Sequence, residues 1–148
     1  MSQTPPLRKT ARSLPIALLH ARETVMGPIR EMLAKSGISE QKWRVLRVLD
    51  EMGPVEQTAI AEAACLLLPS LTRILSSMEG DGYLLRRPDA HDRRKSIVEL
   101  TDGGRELIAR HAEESHEIMS RLERRFGQEN VAQLLDLLDD LRAVEGER

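Results

Sequence analysis

The sequence predicts a mainly α fold, with two short helices and a basic hairpin at its centre and longer amphipathic helices at both ends. Three observations predict it. Leu71, Leu75 and Met78, with Ile74 beside them, recur at helical spacing, so residues 69–80 form a helix with one apolar stripe that must pack. After Gly82, residues 83–87 and 93–100 read as two short strands around the polar turn 88–92. Apolar stripes then run through residues 101–125 and 129–144. Taken in order, a helix over 56–63, a connection over 64–68, the helix over 69–80 and the hairpin make a winged helix-turn-helix with a two-stranded wing.

The remaining elements follow from caps and breaks. Residues 1–12 lack apolar periodicity, contain Pro5-Pro6 and carry Arg8, Lys9 and Arg12 without an acid, which reads as a flexible basic arm. Ser13 suits an N-cap and Pro15 a first helical turn. Leu14, Leu18, Ala21, Val25 and Ile29 then keep helical spacing; Gly27-Pro28 should interrupt or kink that helix, and Gly37 should stop it. Ser39 caps the next helix, which holds Trp43, Leu46, Val48 and Leu49 and ends at Met52-Gly53-Pro54. Thr101 caps the long helix bearing Leu107, Ile108, Ala112, Ile118, Met119 and Leu122. Gly127 breaks it, and the last helix carries Val131, Leu134, Leu135, Leu138 and Leu141. The expected domains are the arm 1–12, a winged domain 39–100, and a helical dimerisation region formed by 13–38 and 101–148. The terminal helices have too little domain to cover their stripes, so a homodimer is expected, with Leu134, Leu138 and Leu141 in its seam; folding back on their own domain is the other reading.

Composition sets bounds. The chain has 148 residues, 41% hydrophobic and 31% charged, with net charge −2 and three aromatic residues, Trp43, Tyr83 and Phe126; this is an ordinary balance with an aliphatic core. No apolar run reaches membrane-spanning length and no secretory signal is evident, so no membrane partner is expected. The single Cys65 excludes an internal disulfide framework and fits a reducing cytoplasm; within Ala63-Ala64-Cys65-Leu66-Leu67-Leu68 it reads as a small core residue rather than the exposed thiol of a redox sensor. His111 and His116 are five apart, which turns them off one helical face, and no His-Glu-x-x-His or nucleophile–base pattern exists. Neither a metal, a cofactor nor an enzymatic reaction is expected.

What the pattern does favour is double-stranded DNA. Opposite the apolar stripe, the helix at 69–80 carries Ser70, Thr72, Arg73, Ser76 and Ser77 after Pro69, small polar groups and one arginine that can approach base edges. Residues 86–95 hold five Arg or Lys against two Asp, a basic spike suited to phosphates or a narrow minor groove. A solvated hairpin laced with surface ion pairs is the other reading of the same charges.

The run Arg87-Pro88-Asp89-Ala90-His91-Asp92-Arg93-Arg94, followed by Val98-Glu99-Leu100-Thr101-Asp102-Gly103-Gly104, resembles the wing signature of the MarR family of transcriptional regulators. The resemblance covers about 14–141. It implies that Arg94 reaches the minor groove while Asp92 steadies the wing, with Arg93 and Lys95 beside them, that residues 69–77 enter the major groove of a pseudo-palindromic operator, and that the terminal helices interleave in a dimer. Ile16-Ala17-Leu18-Leu19-His20-Ala21-Arg22-Glu23 and Gln41-Lys42-Trp43-Arg44-Val45-Leu46-Arg47 are most similar to a branch that represses homoprotocatechuate (hydroxylated phenylacetate) degradation. That implies release by a small aromatic acid, with His20, Arg22, Trp43, Arg44 and Arg47 as candidate ligand residues, since a carboxylate needs a cationic donor and a ring an apolar wall. Each of these five also has a structural reading as core or surface, and a regulator without an effector has the same reading head.

Overall fold

In the computed structural model, which describes residues 3–147, helices start and stop close to where the sequence punctuates them. They are α1 (Leu14–Ala34), α2 (Glu40–Met52), α3 (Gln57–Ala63), α4 (Leu68–Gly80), α5 (Asp102–Phe126) and α6 (Gln128–Ala143). Ser39 caps α2 by accepting a hydrogen bond from the Lys42 N–H at 3.2 Å. Gly53 and Gly127 take positive φ, 74° and 105°, at the ends of α2 and α5, where a side chain would strain the backbone. α1 stays one helix through Gly27-Pro28, where an interruption was expected; the proline removes a single donor, and the turns on either side keep the helix whole. Within the expected basic arm, Thr10–Arg12 form one 3-10 turn, and Met1 and Ser2 lie outside the described residues.

The described residues fall into two compact units, Arg30–Ser115 and the described part of Met1–Ile29 with His116–Arg148. In the first, three strands form an antiparallel sheet of order β1-β3-β2, where β1 is Val55–Glu56, β2 Leu84–Pro88 and β3 Ser96–Leu100. The wing hairpin pairs Leu84 with Leu100 and Pro88 with Ser96, so Arg93, Arg94 and Lys95 belong to its turn rather than to a strand. The third strand was not expected: Val55 pairs with Val98 and Glu56 with Ile97. Two residues are too few to show a period. Leu46, Leu49, Ile60, Leu71, Leu75, Met78, Leu84, Val98 and Leu107 make the fully buried core of this unit, joined by Met32 and Leu33 from the end of α1. Burial of these aliphatic side chains is what holds the short helices in place, each contributing roughly 1.5–3 kcal/mol.

The second unit has a different surface. Leu14, Leu18, Leu19, Leu134, Leu135, Leu137 and Leu141 are exposed, and α6 buries no residue at all.

One expectation is corrected. Cys65 is exposed, with φ 55°, because the chain needs a left-handed residue to leave α3, and Ala64 takes the buried position instead.

Candidate nucleic-acid interface

The sequence of α4 divides cleanly between inside and outside. Leu71, Leu75 and Met78 are buried, whereas Pro69, Thr72, Arg73, Ser76 and Ser77 are exposed and Ser70 is half-buried. Pro69 occupies the first turn, where its missing N–H has no partner to lose. Arg73 has neither an ion pair nor a hydrogen bond among the described residues, so its five donors face solvent.

Three hydroxyls of this face, those of Thr72, Ser76 and Ser77, are already engaged. Thr72 Oγ1 donates to the Leu68 carbonyl at 3.1 Å and accepts from Gln57 Nε2 at 2.7 Å. Ser76 Oγ donates to the Thr72 carbonyl at 3.1 Å and accepts from the Arg86 guanidinium at 3.1 Å. Ser77 Oγ accepts from Lys42 Nζ at 2.9 Å, and the same ammonium lies 3.7 Å from Asp81. Gln57 on α3 and Lys42 on α2 were not singled out from the sequence. Their partners lie 15 and 35 residues away, and no local pattern announces such contacts.

The wing is built around carboxylates. Asp92 Oδ1 accepts from the Arg94 backbone N–H and from Arg94 Nε, both at 3.1 Å, while Oδ2 accepts from the guanidinium at 3.3 Å. These hydrogen bonds from the Arg94 side chain and then its backbone hold the Asp92 carboxyl below its ordinary range. The Arg94 side chain is nonetheless 91% exposed: it is aimed, not buried. Lys95 Nζ sits 3.2 Å from Glu56, a hydrogen bond that raises the ammonium's pKa and ties the turn to β1. Arg87 pairs with Glu99 at 3.5 Å, and Arg93 is exposed with no partner among the described residues. Together Arg86, Arg87, Arg93, Arg94 and Lys95 line a concavity of about 240 Å³ with Pro88 and Ser96. Arg86, Arg87, Arg94 and Lys95 each face a carboxylate, so Arg93 supplies the unpaired positive charge of this hollow among the described residues, and a polyanion would compete with those carboxylates for the other four.

A single threonine joins the connection between α4 and β2 to the start of α5. Thr101 Oγ1 donates to the Gly82 carbonyl at 2.5 Å and accepts from the Gly104 N–H at 3.1 Å, and its own N–H donates to the Tyr83 carbonyl. The spacing Leu100-Thr101-x-x-Gly104 thus caps α5 and anchors the start of β2 with one side chain.

The five candidate ligand residues are distributed between the two units. In Arg30–Ser115, Trp43 is buried and meets His111 edge-on, with ring centroids 5.9 Å apart. His111 is itself buried and hydrogen-bonded to Ser36 Oγ at 2.8 Å. Arg44 reaches the Cys65 carbonyl at 3.5 Å, but its Nε is buried without a hydrogen-bond partner, and Arg47 is exposed. In the other unit His20 is exposed and Arg22 lies 4.0 Å from Glu23. That unit also has a cavity of about 420 Å³ between α1 and α5, lined by Val25, Pro28, Ile118, Met119, Leu122 and Phe126 with Arg121 and Arg125; it includes none of the five.

Comparison with known proteins agrees with this geometry. Residues 38–96 match the MarR family. The chain is 38% identical over 136 residues to the homoprotocatechuate degradative operon repressor of Escherichia coli, covering 92% of each chain. It is similar to the solved structure of NadR in complex with 4-hydroxyphenylacetate, with TM-score 0.80 and 34% identity over 91% of this chain and 98% of that one. It is also similar to the transcriptional repressor CouR bound to a 23-mer DNA duplex, with TM-score 0.81 and 28% identity, covering 95% and 99%. No single helix among the described residues is long and apolar enough to cross a membrane.

Proposed function

The chain belongs to the MarR family, and from that premise we propose a repressor that binds a pseudo-palindromic operator as a homodimer and leaves it when a small aromatic acid binds. One observation carries the DNA reading: α4 buries Leu71, Leu75 and Met78 and turns Arg73 outward, in the same unit whose wing holds Arg94 exposed on the Asp92 carboxylate. A helix with small side chains and a free arginine suits the major groove, and an aimed guanidinium on a hairpin suits the minor groove. In this reading Pro69, Ser70, Thr72, Arg73, Ser76 and Ser77 form the major-groove face, and Asp92, Arg93, Arg94 and Lys95 the wing contact.

The dimer reading rests on the exposed leucines of α1 and α6, which a partner chain covers. Two reading heads on one dimer predict half-sites about 10–10.5 bp apart. The effector reading rests on the similarity to NadR with its 4-hydroxyphenylacetate, together with Arg22, Arg44 and Arg47 as cations, His20 as a ring donor and Trp43 as an apolar ring suited to an aromatic acid. The buried, unpartnered Nε of Arg44 is a donor that such a ligand would satisfy. Release requires that the acid favour a dimer whose heads misfit the operator, because equal affinity for both states shifts nothing.

The test titrates the protein–DNA complex with 4-hydroxyphenylacetate and other aromatic acids, alongside the mass in solution and the variants Arg22→Ala and Arg44→Ala. A dimer released by at least one acid, with the response lost in a variant, is the expected result. A monomer at micromolar concentration overturns the dimer; a wild type deaf to every acid overturns the effector.

A further inference from the structure

The hydrogen bonds of α4 fix how one of its residues reads DNA, given the reading of α4 as the major-groove helix on which this inference rests. A hydroxyl has one proton to donate and two lone pairs. The proton of Thr72 goes to the Leu68 carbonyl at 3.1 Å, and one lone pair takes the proton of Gln57 Nε2 at 2.7 Å. Thr72 therefore has no donor left for the acceptors that dominate the major-groove edge: N7 and O6 of guanine, N7 of adenine and O4 of thymine. Ser76 is in the same condition, donating to the Thr72 carbonyl and accepting from Arg86. The difference between the two is a methyl group. Thr72 is exposed, and its oxygen is held from two sides, which leaves Cγ2 as its unengaged end.

We propose that Thr72 is a specificity residue that recognises a thymine through methyl–methyl contact, with Gln57 positioning it by occupying the oxygen. Arg73 then has donors free for a base edge, as does the Ser77 hydroxyl, which only accepts from Lys42, and Thr72 and Arg73 divide the work between an apolar and a polar contact. Gln57 acts through Thr72, and its amide supplies the clamp from the first turn of α3.

The experiment uses the full chain and a duplex that the wild-type protein selects from a random-sequence library. Each thymine of a half-site is replaced in turn by deoxyuridine, which removes only the C5 methyl. The wild type should lose about fourfold in affinity at one thymine position per half-site, the value of one buried methyl-sized group. Thr72→Ser, which keeps the hydroxyl but removes the methyl from both reading heads of the dimer, should lose about sixteenfold on the parent duplex and nothing more when that thymine becomes deoxyuridine. Thr72→Val, which keeps the methyl but loses the oxygen that Gln57 holds, should retain the deoxyuridine penalty. Wild-type affinity in Thr72→Ser together with a loss in Thr72→Val would mean that the hydroxyl reads the base, which overturns the proposal. So does a wild type indifferent to every replacement, or a Thr72→Ser variant that keeps the full penalty. Arg73→Ala separates the two levels: if it and both Thr72 variants bind as wild type does, α4 is not the reading helix and the underlying assignment fails instead. Because the deoxyuridine arm alters only the DNA, the result does not depend on how well any variant folds.

Discussion

Glu79 accepts two hydrogen bonds from Arg86, one from its backbone N–H at 2.8 Å and one from its guanidinium at 3.2 Å. The backbone bond is the main reason that the Glu79 carboxyl lies below its ordinary range, with the side-chain bond second. The pair fastens the first strand of the wing to the last turn of α4, and the same guanidinium reaches Ser76. Reading helix and wing are thus one rigid piece, which a groove-spanning contact requires.

Glu79→Ala should therefore weaken operator binding severalfold while the helical content stays unchanged. Glu79→Gln keeps an acceptor and should fall between the two. Fluorescence anisotropy at fixed salt, with amide exchange at Arg86 as the readout of loosening, checks this; unchanged affinity in the alanine variant would mean that the wing needs no such fastening.

Arg73→Ala and Arg94→Ala should fail in different ways. Arg73 is free to reach a base edge, so its loss should cost about 1–3 kcal/mol and relax preference at one base pair of each half-site. Arg94 contributes charge at an exposed tip, so its loss should weaken binding to all sequences and reduce the salt slope by about one per contact. Measuring affinity against salt for both variants on matched and mismatched duplexes distinguishes these outcomes. A flat response in both would place the reading head elsewhere.

The reading helix was legible because apolar residues at helical spacing must be buried on one side, and Leu71, Leu75 and Met78 are, with Ile74 half-buried beside them. The signature Leu100-Thr101-x-x-Gly104 was legible as a motif, but its cause is tertiary: Thr101 bonds a carbonyl 19 residues away. Cys65 was misread because an apolar run does not say which member turns outward; the left-handed exit from α3 decides that. The strand Val55–Glu56 is visible only once Ile97 and Val98 lie beside it. Lys42 and Gln57 sit on other helices, and nothing along the chain connects them to Ser77 or Thr72.

Asp92 should make the order of the wing acid-sensitive. Its pKa in the folded protein is below the ordinary 3.8, so its pairing with Arg94 is fully present above that value and is lost as pH falls through the lower folded value. At neutral pH the wing should be insensitive to small pH changes. Following the side-chain carboxyl of Asp92 by NMR from pH 6 to 2 tests this, with Arg94→Ala returning the transition toward 3.8. An unshifted transition in the wild type would show that the two groups do not pair in solution.

His111 sets the opposite end of the range. Burial holds its imidazole below the ordinary 6.5; Glu114 works against that shift, while Arg110 and Lys35 add to it. The neutral ring bonded to Ser36 and edge-on to Trp43 is the favoured form. Its contribution to stability is complete above 6.5 and declines as pH falls from there toward the folded value, because the unfolded chain binds the proton first. The thermal midpoint of the wild type should thus drop more between pH 7.5 and 5.5 than that of His111→Gln. Parallel profiles would place the pH sensitivity in other groups.

Gly104 and Gly80 make a paired test of packing. A Cβ on Gly104 would collide with the Tyr83 carbonyl oxygen and approach Leu100 Cδ2 to 2.9 Å, whereas one on Gly80 would meet nothing within 4 Å. The obstruction at Gly104 is backbone, and that backbone is fixed by the N–H of Thr101, so it cannot step aside as a flexible side chain would. Overpacking of this kind costs about 1–3 kcal/mol, and the rigid carbonyl puts Gly104→Ala at the upper end. Gly80 ends α4 without a positive φ, so Gly80→Ala should be neutral or stabilise by up to about 1 kcal/mol through reduced freedom of the unfolded chain. Urea titration gives both: a lower midpoint with unchanged slope for Gly104→Ala, and an equal or higher one for Gly80→Ala. If Gly104→Ala kept the wild-type midpoint, α5 would not be seated against Tyr83, and the role of Thr101 as the shared anchor of wing and helix would fall with it.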